Sequence, residues 1–143
     1  MVAKAKAKKK KKPTLTSLRK KLWKIFSLYI KLKYSTDGKT VRCFTCGADL
    51  DIGTSNCQVG HCFTKTAYPY HYFNENNVRP QCYHCNISKS GDGPTFYRRL
   101  LDILGQEVMD DIFETKSTPT KRTVEWYEDK TEEYNNKILE LTA

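Results

Sequence analysis

Residues 43–46 read CFTC and residues 82–85 read CYHC, and these two Cys-x-x-Cys pairs decide the fold expected of the chain. Two cysteines at this spacing can place both sulfurs on one ion, and two such pairs complete the tetrahedral set of four thiolates that zinc prefers. Four buried free cysteines are the alternative, which two matched pairs disfavour. Because four thiolates leave no open coordination position, we expect this zinc to stabilise the fold and to perform no chemistry. The predicted ligands are Cys43, Cys46, Cys82 and Cys85.

A chain of 143 residues fits one domain with short appendages, and its small core would gain stability from a bound metal. The sequence contains no apolar run that could span a bilayer and no signal-peptide pattern, so no membrane partner is expected. The chain is therefore expected in a reducing cytoplasm, where paired cysteines usually bind metal. Cys57 and Cys62 remain, either as small apolar residues packed near the zinc or as substitute ligands.

The formal net charge of +9 is unevenly distributed. Residues 1–33 contain 13 of the 25 Lys and Arg and none of the 16 Asp and Glu, which leaves the other 110 residues with a net charge of −4. Residues 1–13 are predicted to form a disordered basic arm. The arm either contacts DNA phosphates without reading sequence or keeps the chain soluble. Its candidate DNA-binding residues are Lys8, Lys9, Lys10, Lys11 and Lys12.

Amphipathic helices are predicted on both sides of the cysteine-rich region. In residues 14–36, Thr14 is a candidate cap, and the apolar seam consists of Leu15, Leu18, Leu22, Ile25, Tyr29 and Leu32. In residues 117–143, Thr118-Pro119 suits a helix start, and the seam consists of Val124, Tyr127, Thr131, Tyr134, Ile138 and Leu141. The first helix is basic and the second acidic, which favours their pairing. The pairing can form within one chain, which we prefer, or between two chains, and ordinary packing on the core is the remaining alternative.

Residues 37–116 form the predicted core domain. We expect a strand at Thr40–Arg42, a turn at Gly47 and a short hairpin around His61. A helix from Cys82 should carry Asn86 and Lys89, and two more helices, at 95–104 and 106–115, should be separated by Gly105. Core residues expected from these two helices are Phe96, Leu100, Leu101, Leu104, Val108, Ile112 and Phe113. The predicted fold class is α+β, with a small zinc-stapled ββα-metal core flanked by amphipathic helices.

Four segments in a fixed order resemble the HNH nuclease superfamily, and above all the NinG (Rap) recombination proteins of lambdoid phages. The segments are Gly60-His61, FNENN at 73–77, QCYHCN at 81–86 and Lys89-Ser90-Gly91, within a similarity that spans about residues 43–113. The resemblance implies an HNH-like core and a divalent-metal-dependent DNA endonuclease. It further implies hydrolysis of phosphodiester bonds in branched DNA, such as a Holliday junction or D-loop, during phage recombination in the cytoplasm of a bacterial host.

The resemblance also implies roles for individual residues. His61 would take a proton from the attacking water, and Asn77 would link the loop to the backbone near this histidine. Asn86 would help to bind the catalytic ion, Mg²⁺ or Mn²⁺, and Lys89, one helical turn further, would hold a phosphate. Without the motif, His61 would be interpreted as a core histidine, and the two asparagines as turn and capping residues.

Gly60 departs from the pattern of many HNH nucleases, which have an acidic metal ligand directly before the first histidine. NinG-like proteins share the Gly-His form. Because Mg²⁺ favours charged oxygens, Asn86 alone is a weak anchor for it. The spacing selects no replacement among Asp49, Asp51, Glu75 and Asp92, and His71 and His84 are further groups that can approach the ion.

Two other function classes remain open at this point. One is a non-catalytic zinc module that binds recombination intermediates and recruits partners, and the other is a sequence-specific HNH enzyme of the homing or restriction type. No helix with base-reading residues stands out, which favours recognition of DNA shape. A symmetric junction would need two sites, so a homodimer is a possible assembly. The aromatic residues Tyr68, Tyr70, Tyr72 and Phe73 either stack on exposed DNA bases or cover the core.

Overall fold

The computed structural model describes residues 12–143. Its helices and strands are, in chain order, α1 (Leu15–Lys33), β1 (Thr40–Arg42), β2 (Asp49–Asp51), β3 (Cys57–His61), β4 (Val78–Cys82), a π-helical turn (His84–Ser88), α2 (Gly93–Leu104), α3 (Gln106–Glu114) and α4 (Val124–Thr142). This mixture of helices and two small sheets agrees with the predicted α+β class. Of the predicted arm, Lys8, Lys9, Lys10 and Lys11 lie outside the described residues, and Lys12 is exposed.

Helix α1 begins where the sequence predicts, because the Thr14 hydroxyl accepts a hydrogen bond from the Ser17 amide and caps it. Its buried face differs from the predicted seam. Leu18 and Leu22 are buried as expected, but Phe26 and Ile30 continue the face, and Leu15 is exposed. Helix α1 packs against strands β3 and β4 as well as against α4. Its buried face is therefore shifted from the predicted seam and is wider than a seam between two helices.

Helix α4 begins at Val124, later than Thr118-Pro119 suggests, and the Thr123 hydroxyl caps it. The preceding segment is held in another way, since the Arg122 guanidinium donates hydrogen bonds to the carbonyls of Pro69 and Tyr70. Tyr127 and Tyr134 are the buried residues of α4. Helices α1 and α4 pack together within the chain, in agreement with the preferred alternative. None of the described helices is long and apolar enough to cross a membrane.

Two antiparallel sheets position the cysteines. In the first, β1 pairs with β2, with Val41 opposite Leu50. In the second, β3 pairs with β4, with Cys57 opposite Cys82 and His61 opposite Val78. The predicted hairpin around His61 is therefore present as a strand pair, but residues 62–77 connect its strands, through two 3₁₀ turns at Pro69–His71 and Glu75–Asn77. This long connection folds back over His61.

The helix expected from Cys82 is only the π-helical turn His84–Ser88, so Asn86 lies inside it and Lys89 lies just beyond its end. Helices α2 and α3 occur as predicted, and Gly105, at φ +85°, separates them. Phe96, Leu100 and Ile112 are buried as expected. Phe113 is not, since it is 62% exposed, and Met109 takes a core position that the sequence did not single out.

The Glu75 carboxylate joins the connection between β3 and β4 to both flanking helices. Its Oε1 lies 3.3 Å from Lys33 Nζ of α1, while its Oε2 lies 3.3 Å from Lys137 Nζ and accepts a 3.0 Å hydrogen bond from the Tyr134 hydroxyl of α4. Burial opposes ionisation, but Tyr134 and the two lysines outweigh it, so the pKa of Glu75 lies below its ordinary value. Ionised Glu75 therefore stabilises the contact between the helices and the core.

We expect Glu75→Gln to lower the free energy of unfolding by about 1 kcal/mol at pH 7, because the carboxylate is partly screened by solvent. A carboxyl whose pKa is lowered by folding stabilises the protein above its unfolded pKa, about 4.3, and this contribution disappears as the pH falls through the folded pKa. The difference between the variant and the wild type should therefore vanish in acid. Urea denaturation at several pH values measures it. Glu133→Gln, which removes an exposed partner of Lys130, is the matched control, and an equal loss there would contradict the assignment.

Candidate metal centre and adjoining polar site

The sulfur atoms of Cys43, Cys46, Cys82 and Cys85 all lie within 4.8 Å of one another. The first pair sits on the turn after β1, where Gly47, at φ +78°, donates its amide to the Cys43 carbonyl. The second pair joins β4 to the π-helical turn, and the Cys85 amide donates to the Cys82 sulfur. Within residues 12–143, no other group of three or more His, Cys, Asp or Glu side chains converges in this way.

The four sulfurs fit a tetrahedral metal such as zinc. Zn–S bonds of about 2.3 Å place the sulfurs of a tetrahedron about 3.8 Å apart. The sulfurs of Cys46 and Cys82 are separated by 3.8 Å. Although burial opposes ionisation, hydrogen bonds, above all from the Thr45 hydroxyl, lower the pKa of Cys43 to about 6, so one thiolate forms readily.

The two remaining cysteines lie outside the four-sulfur group. Cys57 is buried beside it, opposite Cys82, and Cys62 packs against the cluster formed by Phe96, Leu100 and Met109. Burial raises the pKa of Cys62 to about 12. The structure therefore supports the interpretation of Cys57 and Cys62 as small apolar packing residues, and not as substitute metal ligands.

His61 lies at the end of β3, between helix α1 and the connection to β4. Its ring stacks on Trp23 of α1, with centroids 5.0 Å apart, and its Nε2 lies 2.8 Å from the Tyr72 carbonyl oxygen. A carbonyl can only accept, so Nε2 carries the hydrogen and Nδ1 keeps a lone pair. No described residue forms a hydrogen bond with Nδ1. This nitrogen is also not completely buried.

Burial, with the nearby charge of Lys65, holds the pKa of His61 below its ordinary value, even though the Tyr72 carbonyl favours the protonated ring. His61 is therefore neutral at pH 7. It presents a free imidazole nitrogen whose orientation is fixed by Tyr72 and Trp23. The arrangement suits a proton acceptor.

Asn77 is fully buried and braces the loop that follows His61. Its Nδ2 donates to the carbonyls of Phe63 and His71, and its Oδ1 accepts a 2.7 Å hydrogen bond from the Phe63 amide. The Asn77 carbonyl accepts from the Cys62 amide as well. These hydrogen bonds fix the loop that follows His61, so the Asn77 side chain has the geometry of a bracing residue.

Asn86 and Gln81 meet beside Gly60. A Cβ atom on Gly60 would overlap Gln81 Oε1 and would lie 3.0 Å from Asn86 Oδ1. The Asn86 Nδ2 donates to Gln58 Oε1 at 2.9 Å. Glycine is therefore required directly before His61 because two amide oxygens occupy the space of its side chain.

The other acidic candidates lie in different surroundings. Asp49 and Asp51 are exposed on β2, and Asp49 faces Arg42. Glu75 is occupied by Lys33, Lys137 and Tyr134, as described above. Asp92 is half-buried before α2, and its backbone amide donates to the Lys89 carbonyl. None of the four belongs to a metal-ligating group within the described residues.

The two other histidines, His71 and His84, do not belong to a group of metal-ligating side chains within the described part of the chain. His71 is buried, and its ring nitrogens pair with Thr115 Oγ1 and with the Asn74 amide. His84 is exposed and lies outside the four-sulfur group. Of the aromatic residues, Phe73 packs under Trp126 and only Tyr70 is exposed, so most of this run covers the core. The exposed Lys89 has no described side-chain partner.

Two residues of the site, Trp23 and Gln81, are not indicated by the sequence alone. The stacking of Trp23 on His61 is a contact between a helix and a distant strand, and such a contact has no signal in local spacing. Gln81 belongs to the QCYHCN segment, but its residue type by itself indicates no role there. Its role becomes visible only in the structure, where all five residues of β4 are buried and a buried amide needs partners.

A family model described as Bacteriophage Lambda NinG protein matches residues 2–143. Protein ninG of Escherichia phage lambda is 32% identical over 99 residues, which are 69% of this chain and 47% of that protein. Protein ninG of Escherichia phage 933W is 31% identical over 99 residues, again 69% of this chain and 47% of that protein. Protein ninG of Enterobacteria phage H19B is 34% identical over 61 residues, which are 43% of this chain and 30% of that protein. The chain spans about half the length of the first two relatives. No solved structure matches.

Proposed function

Since this chain belongs to the bacteriophage NinG family, we propose that it is a structure-selective DNA endonuclease. Its reaction is hydrolysis of phosphodiester bonds in branched DNA, such as a Holliday junction or D-loop, during phage recombination. The reaction is assisted by a divalent cation, Mg²⁺ or Mn²⁺, and the core is HNH-like. The proposal follows from the resemblance to HNH nucleases and from the geometry around His61.

One observation carries the proposal. A neutral imidazole with a free Nδ1 lies at the end of β3, and the residue before it lies against two amide oxygens, from Gln81 and Asn86. A histidine base and oxygen ligands are the two components that metal-assisted phosphodiester hydrolysis requires. The strand pair β3–β4, followed by the π-helical turn that carries Asn86, supports an HNH-like arrangement.

In the proposed reaction, His61 Nδ1 accepts a proton from the water that attacks the phosphorus, while the Tyr72 carbonyl stabilises the ring that becomes charged. Asn77 keeps the loop and His61 in position. The bond between the phosphorus and the 3′ oxygen breaks as the water adds. Asn86 Oδ1 would help to hold the divalent ion, which would supply neutralisation of charge on the phosphate and on the leaving 3′ oxygen. The exposed Lys89 binds a neighbouring phosphate.

A basic groove supports a DNA substrate. Lys24 and Lys31 of α1 line a groove between α1 and β3 that also contains Trp23, Gln58 and Asn86. Phosphates in this groove would lie beside the proposed site, and these lysines bind the backbone without reading bases. The lysine-rich residues 8–12 would extend the contact along the DNA. Selection by DNA shape is consistent with such contacts.

The proposal is tested by incubating the zinc-loaded protein with a four-way junction and with a linear duplex of the same sequences, in the presence of Mg²⁺ or Mn²⁺. We expect cuts near the branch of the junction and none in the duplex. Binding of junctions without cleavage under any divalent ion would disprove the nuclease. Cleavage of the linear duplex at one sequence would instead indicate a site-specific HNH enzyme.

The second candidate function is a non-catalytic zinc module that binds recombination intermediates and recruits partners. Gly60 favours it, because the chain lacks the carboxylate that many HNH nucleases have at this position. Both functions allow a homodimer on a symmetric junction. Sedimentation showing a monomer both free and bound to a junction would exclude the dimer.

A further inference from the structure

The side chain of Gln81 is fully buried, yet its carbonyl oxygen has no hydrogen-bond partner among the described residues. Its Nε2 donates to the Gly91 carbonyl at 2.9 Å and to the Thr45 hydroxyl at 3.1 Å. Because the Gly91 carbonyl can only accept, the orientation of this amide is fixed, and Oε1 must point the other way. It points at Gly60.

Asn86 directs a second amide oxygen to the same place. Gln58 Nε2 donates to the Ser55 carbonyl, so Gln58 Oε1 is an acceptor, and it accepts from Asn86 Nδ2. This sequence of contacts fixes Asn86 Oδ1 on the side of Gly60. Two oxygens that carry partial negative charge and lack donors thus converge beside Gly60.

A buried acceptor without a donor is unfavourable unless something absent from the protein chain pairs with it. A donor from the protein would serve, but none of the described residues supplies one. Carbonyl oxygens of Asn and Gln are ordinary ligands of hard divalent cations. The space that they share is the space of the side chain that Gly60 lacks, which is where many HNH nucleases have a carboxylate.

We propose that Gln81 Oε1 is a ligand of the catalytic divalent cation, with Asn86 Oδ1, and replaces the carboxylate missing at residue 60. The inference deepens the proposed function, and the catalytic role of the ion rests on that function. It also connects the two metal sites. The Thr45 hydroxyl contacts the Cys43 sulfur at 3.5 Å and accepts from Gln81, so the four-cysteine site orients the proposed ligand.

The test measures ion binding directly, by titrating zinc-loaded protein with Mn²⁺ and following the free Mn²⁺ signal by electron paramagnetic resonance. Mn²⁺ prefers oxygen ligands and leaves thiolate-bound zinc in place. We expect Gln81→Ala to weaken Mn²⁺ binding by at least about tenfold. Gln106→Ala, which removes an exposed glutamine of α3, is the matched control and should bind as the wild type does.

A swap variant tests the same site by recovery of binding. In Gly60→Asp combined with Gln81→Ala, the aspartate enters the space that Gln81 Oε1 occupies in the wild type, so Mn²⁺ affinity should return to within about tenfold of the wild-type value. Recovery cannot result from unfolding. If Gln81→Ala does not fold, as judged by circular dichroism and zinc content, the test is the comparison of Mn²⁺ affinity between the swap variant and the wild type.

Wild-type Mn²⁺ affinity in folded Gln81→Ala would overturn the inference, as would a folded swap variant without Mn²⁺ binding. Gln81 would then only tie Thr45 to Gly91. The proposed function fails in a different experiment. If the wild type binds Mn²⁺ through Gln81 but cuts no junction, the ligand assignment stands and the nuclease does not.

Discussion

Replacing Cys85 by serine is expected to abolish zinc binding and cooperative folding together. Cys85 is fully buried, and its sulfur belongs to the four-sulfur group. Structural zinc sites supply about 10–16 kcal/mol of apparent binding free energy at neutral pH. A domain of this size has a total stability of about 5–15 kcal/mol. Loss of the site should therefore remove most of the stability, and the variant should lose its thermal unfolding transition.

Zinc content by mass spectrometry and thermal unfolding by circular dichroism measure the two effects. Cys62→Ser is the matched control, because Cys62 is half-buried outside the four-sulfur group and should keep one zinc per chain. A folded Cys85→Ser protein with one tightly bound zinc would show that the four sulfurs are not the metal site. Equal loss of zinc in Cys62→Ser would show the same.

The effect should spread from the sulfurs to the polar site. Thr45 contacts both Cys43 and Gln81, and β4 carries Cys82 next to Gln81. Removal of zinc by a chelator should therefore weaken Mn²⁺ binding beside Gly60, and added Zn²⁺, but not Mg²⁺, should restore it.

Those parts of the fold that depend on local spacing were predictable from the sequence. The cysteine pairs needed only their separation of two residues, and α1, α2 and α3 needed periodic apolar positions with Thr14 and Gly105 at their ends. The start of α4 was wrong because Arg122 binds the carbonyls of Pro69 and Tyr70, a contact across more than fifty residues. A distant partner of this kind has no signature in the neighbouring sequence.

The candidate site was likewise predictable only as far as local sequence patterns and the family resemblance indicate its residues. His61, Asn77 and Asn86 came from a resemblance, and the structure places His61 beside Trp23 and Asn86 beside Gln58 through contacts that no spacing reveals. Gln81 depends on strand register. In β3–β4 it lies opposite Gln58, two pairs away from Gly60 and on the same face of the sheet, so its oxygen can reach the empty side-chain position. A register shift of one residue would turn it to the other face.

Under the proposed function, His61→Gln is expected to reduce the rate of junction cleavage by about 10²–10⁴-fold while junction affinity stays the same. Glutamine can still donate a hydrogen bond towards the Tyr72 carbonyl and pack on Trp23, but an amide cannot accept a proton at neutral pH. His61→Ala should give the same loss. His84→Gln is the control, since the side chain of this histidine is exposed and lies outside the four-sulfur group, and its variant should cut as the wild type does.

The pH dependence gives an independent readout of the same residue. Burial lowers the pKa of His61 below its ordinary value of about 6.5, so the neutral base persists as the pH falls past 6.5. Wild-type cleavage under single-turnover conditions should decline only below that pH, and the residual cleavage by His61→Gln should lack this decline. A His61→Gln variant that cuts at the wild-type rate, or that keeps the same acid limb, would show that His61 is not the base.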